Sequence, residues 1–182
     1  MRRSIATLAL PLMLGALLGA PPQSARAERS GSEELRVLLV GNSYSHHNDL
    51  PQMLERLAAA DPEGPALETQ LVFIPGATLA RHWRTRKARR HVRRGGYTHL
   101  VLQGHSLDTF ERPAQLRRYV TRFHEAAARA GAETILYATW ARHRDNVLYV
   151  RGEVGESPAE MQDHIDRTYR RIAQAIEARV AP

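Results

Sequence analysis

The sequence predicts an α/β fold: a doubly wound parallel sheet with helices packed against it. Three observations carry that expectation. Short apolar runs alternate with longer segments of helical spacing. The first run, LRVLLV at 35–40, is nearly continuous, as in a strand buried on both faces. Each run also ends in a polar stretch, most of them glycine-bearing, before the next helix begins. Strand and helix repeated in that order imply parallel pairing with right-handed crossovers. A chain of 182 residues, without internal repeat or low-complexity linker, suits one domain with its own core.

The first 27 residues read differently. Arg2 and Arg3 precede an apolar run at 5–18, and Ala25-Arg26-Ala27 offers a small-x-small cleavage site. That is the pattern of a secretory signal peptide, shorter than the roughly 20 residues a membrane span needs. The expectation is a signal peptide at 1–27, a domain at 28–182, a periplasmic or secreted product, and no stable membrane anchor. There is no cysteine, so the core must hold without disulfides. Cleavage would remove three arginines and no acid, taking the formal charge from +7 to +4, too mild an excess to imply nucleic acid.

In the expected domain, 35–40 forms the first strand. Leu50, Met53, Leu54 and Leu57 then mark one face of a helix that Asn48 or Asp49 can cap. A second strand at 67–74 leads through Pro75-Gly76 into a basic helix that Gly95-Gly96 ends. The third strand is 97–102. Leu116, Tyr119, Val120, Phe123, Ala127 and Ala130 line the next helix, Gly131 stops it, and 134–138 is a fourth strand. In the final helix Ser157 caps, Pro158 takes the first position, Glu160 completes a capping box, and Met161, Ile165, Tyr169, Ile172 and Ile176 face the core. Val180-Ala181-Pro182 looks like the beginning of a strand.

The basic helix, RHWRTRKARRHVRR from Arg81 to Arg94, contains no carboxylate. It is either a solvated face or a contact for an anionic surface or substrate.

Ligands of open parallel sheets bind beyond the carboxyl ends of the strands. There the sequence places Gly41, Asn42, Ser43, His46 and His47; then Gly76; then Gln103, Gly104, His105 and Ser106; then Thr139, Trp140, Arg142 and His143. A serine on a sharp strand-to-helix turn, beside a base and facing N–H donors, is what acyl transfer requires. Ser43 has the turn, although Ser45 stands where the second glycine of a Gly-x-Ser-x-Gly elbow would be. Trp83 and Trp140 could wall an acyl or sugar pocket or belong to the core. His46, His47 and Asp49 lack zinc-site spacing, so no metal is expected. His143 and Asp145 read as a surface pair or an oriented base.

The run VLLVGNSYSHHNDLP resembles the first block of the SGNH (GDSL-like) hydrolases, in the subgroup that carries GNS. FIPGATLARHW is similar to the second block, YTHLVLQGHS to the strand entering the third, and ILYATWARH to the segment after the fourth strand. The resemblance implies a flavodoxin-like three-layer fold and a cofactor-free esterase with Ser43 as nucleophile. Its oxyanion donors would be the amides of Ser43 and Gly76, with His105 or Gln103. The substrate would be a small-molecule or glycan ester, its acyl group linked to carbohydrate or lipid. The third block departs from the family's Gly-x-Asn-Asp, since His105 stands for the asparagine. The family's Asp-x-x-His block follows one further strand. With the sequence ending at Pro182, the expectation is a fold lacking its last strand and a site lacking the catalytic aspartate and histidine. That would make the chain a fragment or a crippled enzyme, or else a glycan- or anion-binding module; His46, His47 and His143 are the alternative bases.

Overall fold

The computed structural model describes residues 34–182; the expected signal peptide at 1–27 lies outside them. The elements follow in the order β1 (Leu35–Gly41), α1 (Ser43–His46), a 3-10 turn (His47–Asp49), α2 (Leu50–Ala60), β2 (Leu67–Phe73), α3 (Leu79–Arg84), α4 (Lys87–Arg94) and β3 (His99–Gln103). After these come α5 (Asp108–Glu111), α6 (Pro113–Ala128), β4 (Glu133–Tyr137), α7 (Val147–Val150), α8 (Pro158–Ala175) and β5 (Arg179–Ala181). The strands form one sheet in the order β2-β1-β3-β4-β5, every neighbour parallel. The fold is therefore the expected doubly wound α/β sheet, with one correction. A fifth strand is present: Val180 pairs with Leu136 and Ala181 with Tyr137, so three residues suffice to extend the ladder where the sheet was expected to lack its last strand.

The core explains why the apolar runs are where they are. Leu38, Val40, Val72, Leu100, Leu102 and Leu136 from the strands meet Val92, Phe123 and Ile165 from α4, α6 and α8, all nearly inaccessible to solvent. The pattern in α8 reads directly onto this core, since Met161, Ile165, Tyr169 and Ile172 are all buried. Its start is also as expected, with Ser157 Oγ accepting from Glu160 N and Pro158 at the first helical position. The Glu160 carboxylate reaches back to Glu156 N, one residue beyond the usual partner.

Two local expectations differ. The basic segment is two helices, because Arg86 turns left-handed (φ 65°) between α3 and α4. The helix carrying Leu50 and Leu57 has no side-chain cap from Asp49, and Asn48 lies in the preceding 3-10 turn. That helix, α2, packs on β2 with no fully buried residue, leaving Leu57 66% exposed.

Register sets the site. Gly41 pairs with Phe73, Val40 with Leu102, and Gln103 with Tyr137, so the strands end at one level and their following loops share one edge of the sheet.

Candidate active site

Three of these loops are tied together by Asn42. Its Nδ2 donates to the carbonyls of Ala77 (3.1 Å) and Gly104 (3.2 Å), its Oδ1 accepts from Tyr44 N (3.2 Å), and its backbone N–H donates to Gln103 Oε1 (3.0 Å). An amide is required here. A carboxylate would set its oxygens against two carbonyl oxygens with nothing to donate.

Beneath Asn42 the turn is closed. Ser45 Oγ donates to Gln103 Oε1 (2.9 Å), and Gln103 Nε2 donates to the Gly104 carbonyl. Gly41 must lack a side chain, because a Cβ there would come within 2.4 Å of Ser45 Oγ and 2.7 Å of Gln103 Oε1. His82 of α3, wholly buried, donates from Nε2 to the Gly41 carbonyl at 2.9 Å. Its Nδ1 has no partner, and burial holds the imidazole below its ordinary pKa of 6.5, with the Arg81 charge adding to the shift, so the ring is neutral.

Ser43, the residue after Asn42, is exposed, and among the described residues its hydroxyl makes no side-chain hydrogen bond. Its backbone N–H is also free, since the helical bonds and the Asn42 cap take up only the amides of residues 44–46. Gly76 precedes Ala77, one of the Asn42 acceptors. Pro75-Gly76 forms a tight turn closed by Ala77 N to Ile74 O, with Gly76 at φ 59°, a conformation that favours glycine. The Gly76 N–H has no partner among the described residues.

His105 follows Gly104, the other Asn42 acceptor. Its Nδ1 accepts a long bond from Leu107 N (3.4 Å) and faces Arg112 Nη2 at 3.5 Å. With Nδ1 accepting, the ring N–H is at Nε2, which has no partner among the described residues. Buried Asp108 braces the loop, accepting from His105 N (2.9 Å) and Arg112 Nε (3.0 Å). On the core side Gly104 N donates to the phenol of Tyr169, whose pKa burial pushes well up. Ser43, Gly76 and His105 are thus each next in sequence to Asn42 or to a residue bonded to it, and among the described residues the backbone N–H of Ser43 and Gly76 and the ring N–H of His105 have no partner.

Gln103 differs from the expectation that it competes as an oxyanion donor. It is 1% exposed, and its amide is engaged inside the turn, where it serves as scaffold. His46 stacks on Phe73 (4.3 Å between centroids), His47 is exposed, and the His143–Asp145 pair is at the surface. None of these histidines bonds to Ser43 Oγ. Among the described residues no cluster of three or more potential metal ligands occurs. Of the tryptophans, Trp83 packs edge-on against Phe123, as core, whereas Trp140 is 49% exposed at the site.

The residues not singled out from sequence as part of this constellation are Tyr44, Ser45, His82, Asp108 and Tyr169. Ser45 carried a signal, since it lies two residues past Ser43 on the same turn. Tyr44 and Asp108 also lie within three residues of Ser43 and His105, whereas His82 and Tyr169 are distant in sequence and carried none.

No protein-family model matches the chain, and no curated protein matches it. Solved structures do. A protein of Slackia heliotrinireducens assigned to the SGNH hydrolases shares 24% identity over 81% of this chain and 78% of its own, with a TM-score of 0.70. A DUF4886 family protein from Bacteroides uniformis shares 17% identity over 82% of this chain and 67% of its own, with a TM-score of 0.67. AlinE4, an SGNH-hydrolase family esterase, shares 18% identity over 84% and 78%, with a TM-score of 0.61. The chain has the SGNH-hydrolase fold.

Proposed function

We propose that this chain is a serine hydrolase that cleaves an ester through an acyl-enzyme on Ser43. The observation that supports this reading best is that Ser43, Gly76 and His105, each with an N–H that has no partner among the described residues, lie on the three loops that Asn42 ties together, beside an exposed serine hydroxyl. In the reaction Ser43 Oγ attacks the ester carbonyl carbon and gives up its proton to a base from solvent, since no described histidine is hydrogen-bonded to its hydroxyl, so turnover is expected to be slow. The carbonyl oxygen becomes an oxyanion held by the three donors, the alcohol departs with a proton, and water then releases the acid from Ser43. Donors of this kind act in the transition state, where the oxygen carries charge.

The seat needs no cofactor for these steps. The proposal includes export to the periplasm or beyond, which rests on the pattern at 1–27 alone.

Labelling by a serine-directed phosphonate, with hydrolysis of short acyl esters, tests the reading. The parent should label at Ser43, and Ser43→Ala should lose both label and turnover. Turnover by Ser43→Ala comparable with the parent's overturns it. A chain that folds and binds glycan or anion, yet neither labels nor turns over, would be the non-catalytic module on the same fold.

A further inference from the structure

The wall beside Ser43 is aromatic and open. Tyr44, its covalent neighbour, stacks on Trp140 with ring centroids 4.5 Å apart and planes 11° from parallel. The guanidinium of Arg142 lies 5.7 Å from the Tyr44 ring centre and donates from Nη2 to Ser106 Oγ at 2.8 Å. Tyr44 is one residue from Ser43 and Ser106 one residue from His105. The segment after β4 therefore touches both sides of the seat described above.

Trp140 is held from behind. The next residue, Ala141, donates its N–H to Gln162 Oε1 of α8 at 2.9 Å, and the Arg142 carbonyl accepts from the Tyr149 hydroxyl at 2.8 Å. A large apolar ring is thus fixed in place, backed by Tyr44, and left about half exposed. The fold gains little from exposing it, since burying that surface would stabilise the chain.

We infer that the exposed face of Trp140 is a platform for a sugar ring, which makes the substrate an O-acylated carbohydrate; the inference rests on the Ser43 reading. A fatty acyl chain is apolar on all sides and calls for an enclosed trough. A pyranose has one C–H face and a rim of hydroxyls. An open indole face suits the C–H face, which lies on Trp140, and the Arg142 guanidinium held over the neighbouring Tyr44 ring offers N–H donors to the hydroxyls. The acyl group then projects past Tyr44 toward Ser43, with the sugar as leaving group.

The test compares 6-O-acetylglucose, which keeps its remaining hydroxyls free, with ethyl acetate. In Trp140→Ala the ratio of kcat/KM for the sugar ester to that for ethyl acetate should fall about tenfold, mostly through KM, and Trp140→Phe should retain more of it than Ala. Equal losses on the two esters, or an unchanged ratio, overturn the platform. A second arm needs no turnover: acylated sugar should give a calorimetric binding response with Ser43→Ala, and the response should vanish when Trp140→Ala is added. If the parent hydrolyses esters but the double variant still responds like Ser43→Ala, the platform fails and the hydrolase reading stands. If the response depends on Trp140 but the parent never turns over, the hydrolase reading fails and the sugar site stands.

Discussion

The turn that carries Ser43 and the loop that carries Trp140 meet at one site and are built in opposite ways. The turn is a buried hydrogen-bond cluster: Asn42, Ser45, Gln103 and His82 are each at most 3% exposed and joined through shared acceptors. The loop keeps its outer side chains in water, with Trp140 half exposed and the His143–Asp145 pair near 80% exposed. A reacting oxygen must be met at hydrogen-bond distance, so its donors are set on a seat that does not move. Recognition of a leaving group tolerates an open wall. The two regions should therefore separate by experiment: substitutions in the seat should cost stability and turnover together, and substitutions in the wall should act on substrate preference with little cost to the fold.

The largest effect is expected at Asn42. In Asn42→Leu the Ala77 carbonyl and the Tyr44 N–H lose their partner and the Gly104 carbonyl keeps only Gln103 Nε2, at about 1–3 kcal/mol for each group left buried and unpaired. Denaturant unfolding should show a loss of about 3 kcal/mol or more; a loss under about 1 kcal/mol would mean that the three loops are held together by other contacts. Asn42→Asp should be nearly as damaging at neutral pH, because an ionised side chain has no hydrogen for the two carbonyls.

Gly41→Ala comes next. Its Cβ would meet Ser45 Oγ and Gln103 Oε1, both locked in the cluster, so overpacking of about 1–3 kcal/mol is expected, with a fall in any Ser43-dependent turnover. A stable variant with unchanged turnover would show that the seat can give way without consequence.

A smaller effect should appear with pH. His82 is held neutral when folded, while the unfolded chain takes up a proton below 6.5. Its stabilising contribution is therefore complete above 6.5 and is lost as pH falls from there through the depressed folded value. The slope is at most about 1.4 kcal/mol per pH unit. The difference in unfolding free energy between the parent and His82→Gln should narrow as pH falls through this window; a constant difference would remove His82 as the cause.

Trp140→Ala should change stability least, by about 1 kcal/mol or less, since it removes one exposed stack on Tyr44. A loss as large as that of Gly41→Ala would erase the distinction between seat and wall.

How much of this was legible depends on distance along the chain. The α8 cap is contained within residues 157–160 and was readable, because a capping bond joins neighbours. The break at Arg86 was not, since no glycine or proline marks it. Gln103 illustrates the harder limit: it stands at the right place in the third loop to be a donor, and its position was predicted. Its role was not, because the partners that occupy it, Asn42 and Ser45, lie 61 and 58 residues away. His82 was hidden for the same reason, reading as one more polar residue in a basic helix.

By itself the sequence determined the parallel α/β sheet, the order of its strands and helices, and the placing of Ser43, Gly76 and His105 at the ends of three strands. Apolar periodicity and loop position are properties of the chain taken a few residues at a time. Only the tertiary structure decided which of those polar residues are bound and which are free. An N–H or hydroxyl becomes available for chemistry when nothing else in the fold claims it, and the competitors for it come from anywhere in the chain. Asn42 takes the Ala77 and Gly104 carbonyls, Gln103 is consumed inside the turn, and Ser43, Gly76 and His105 each keep an N–H with no partner among the described residues.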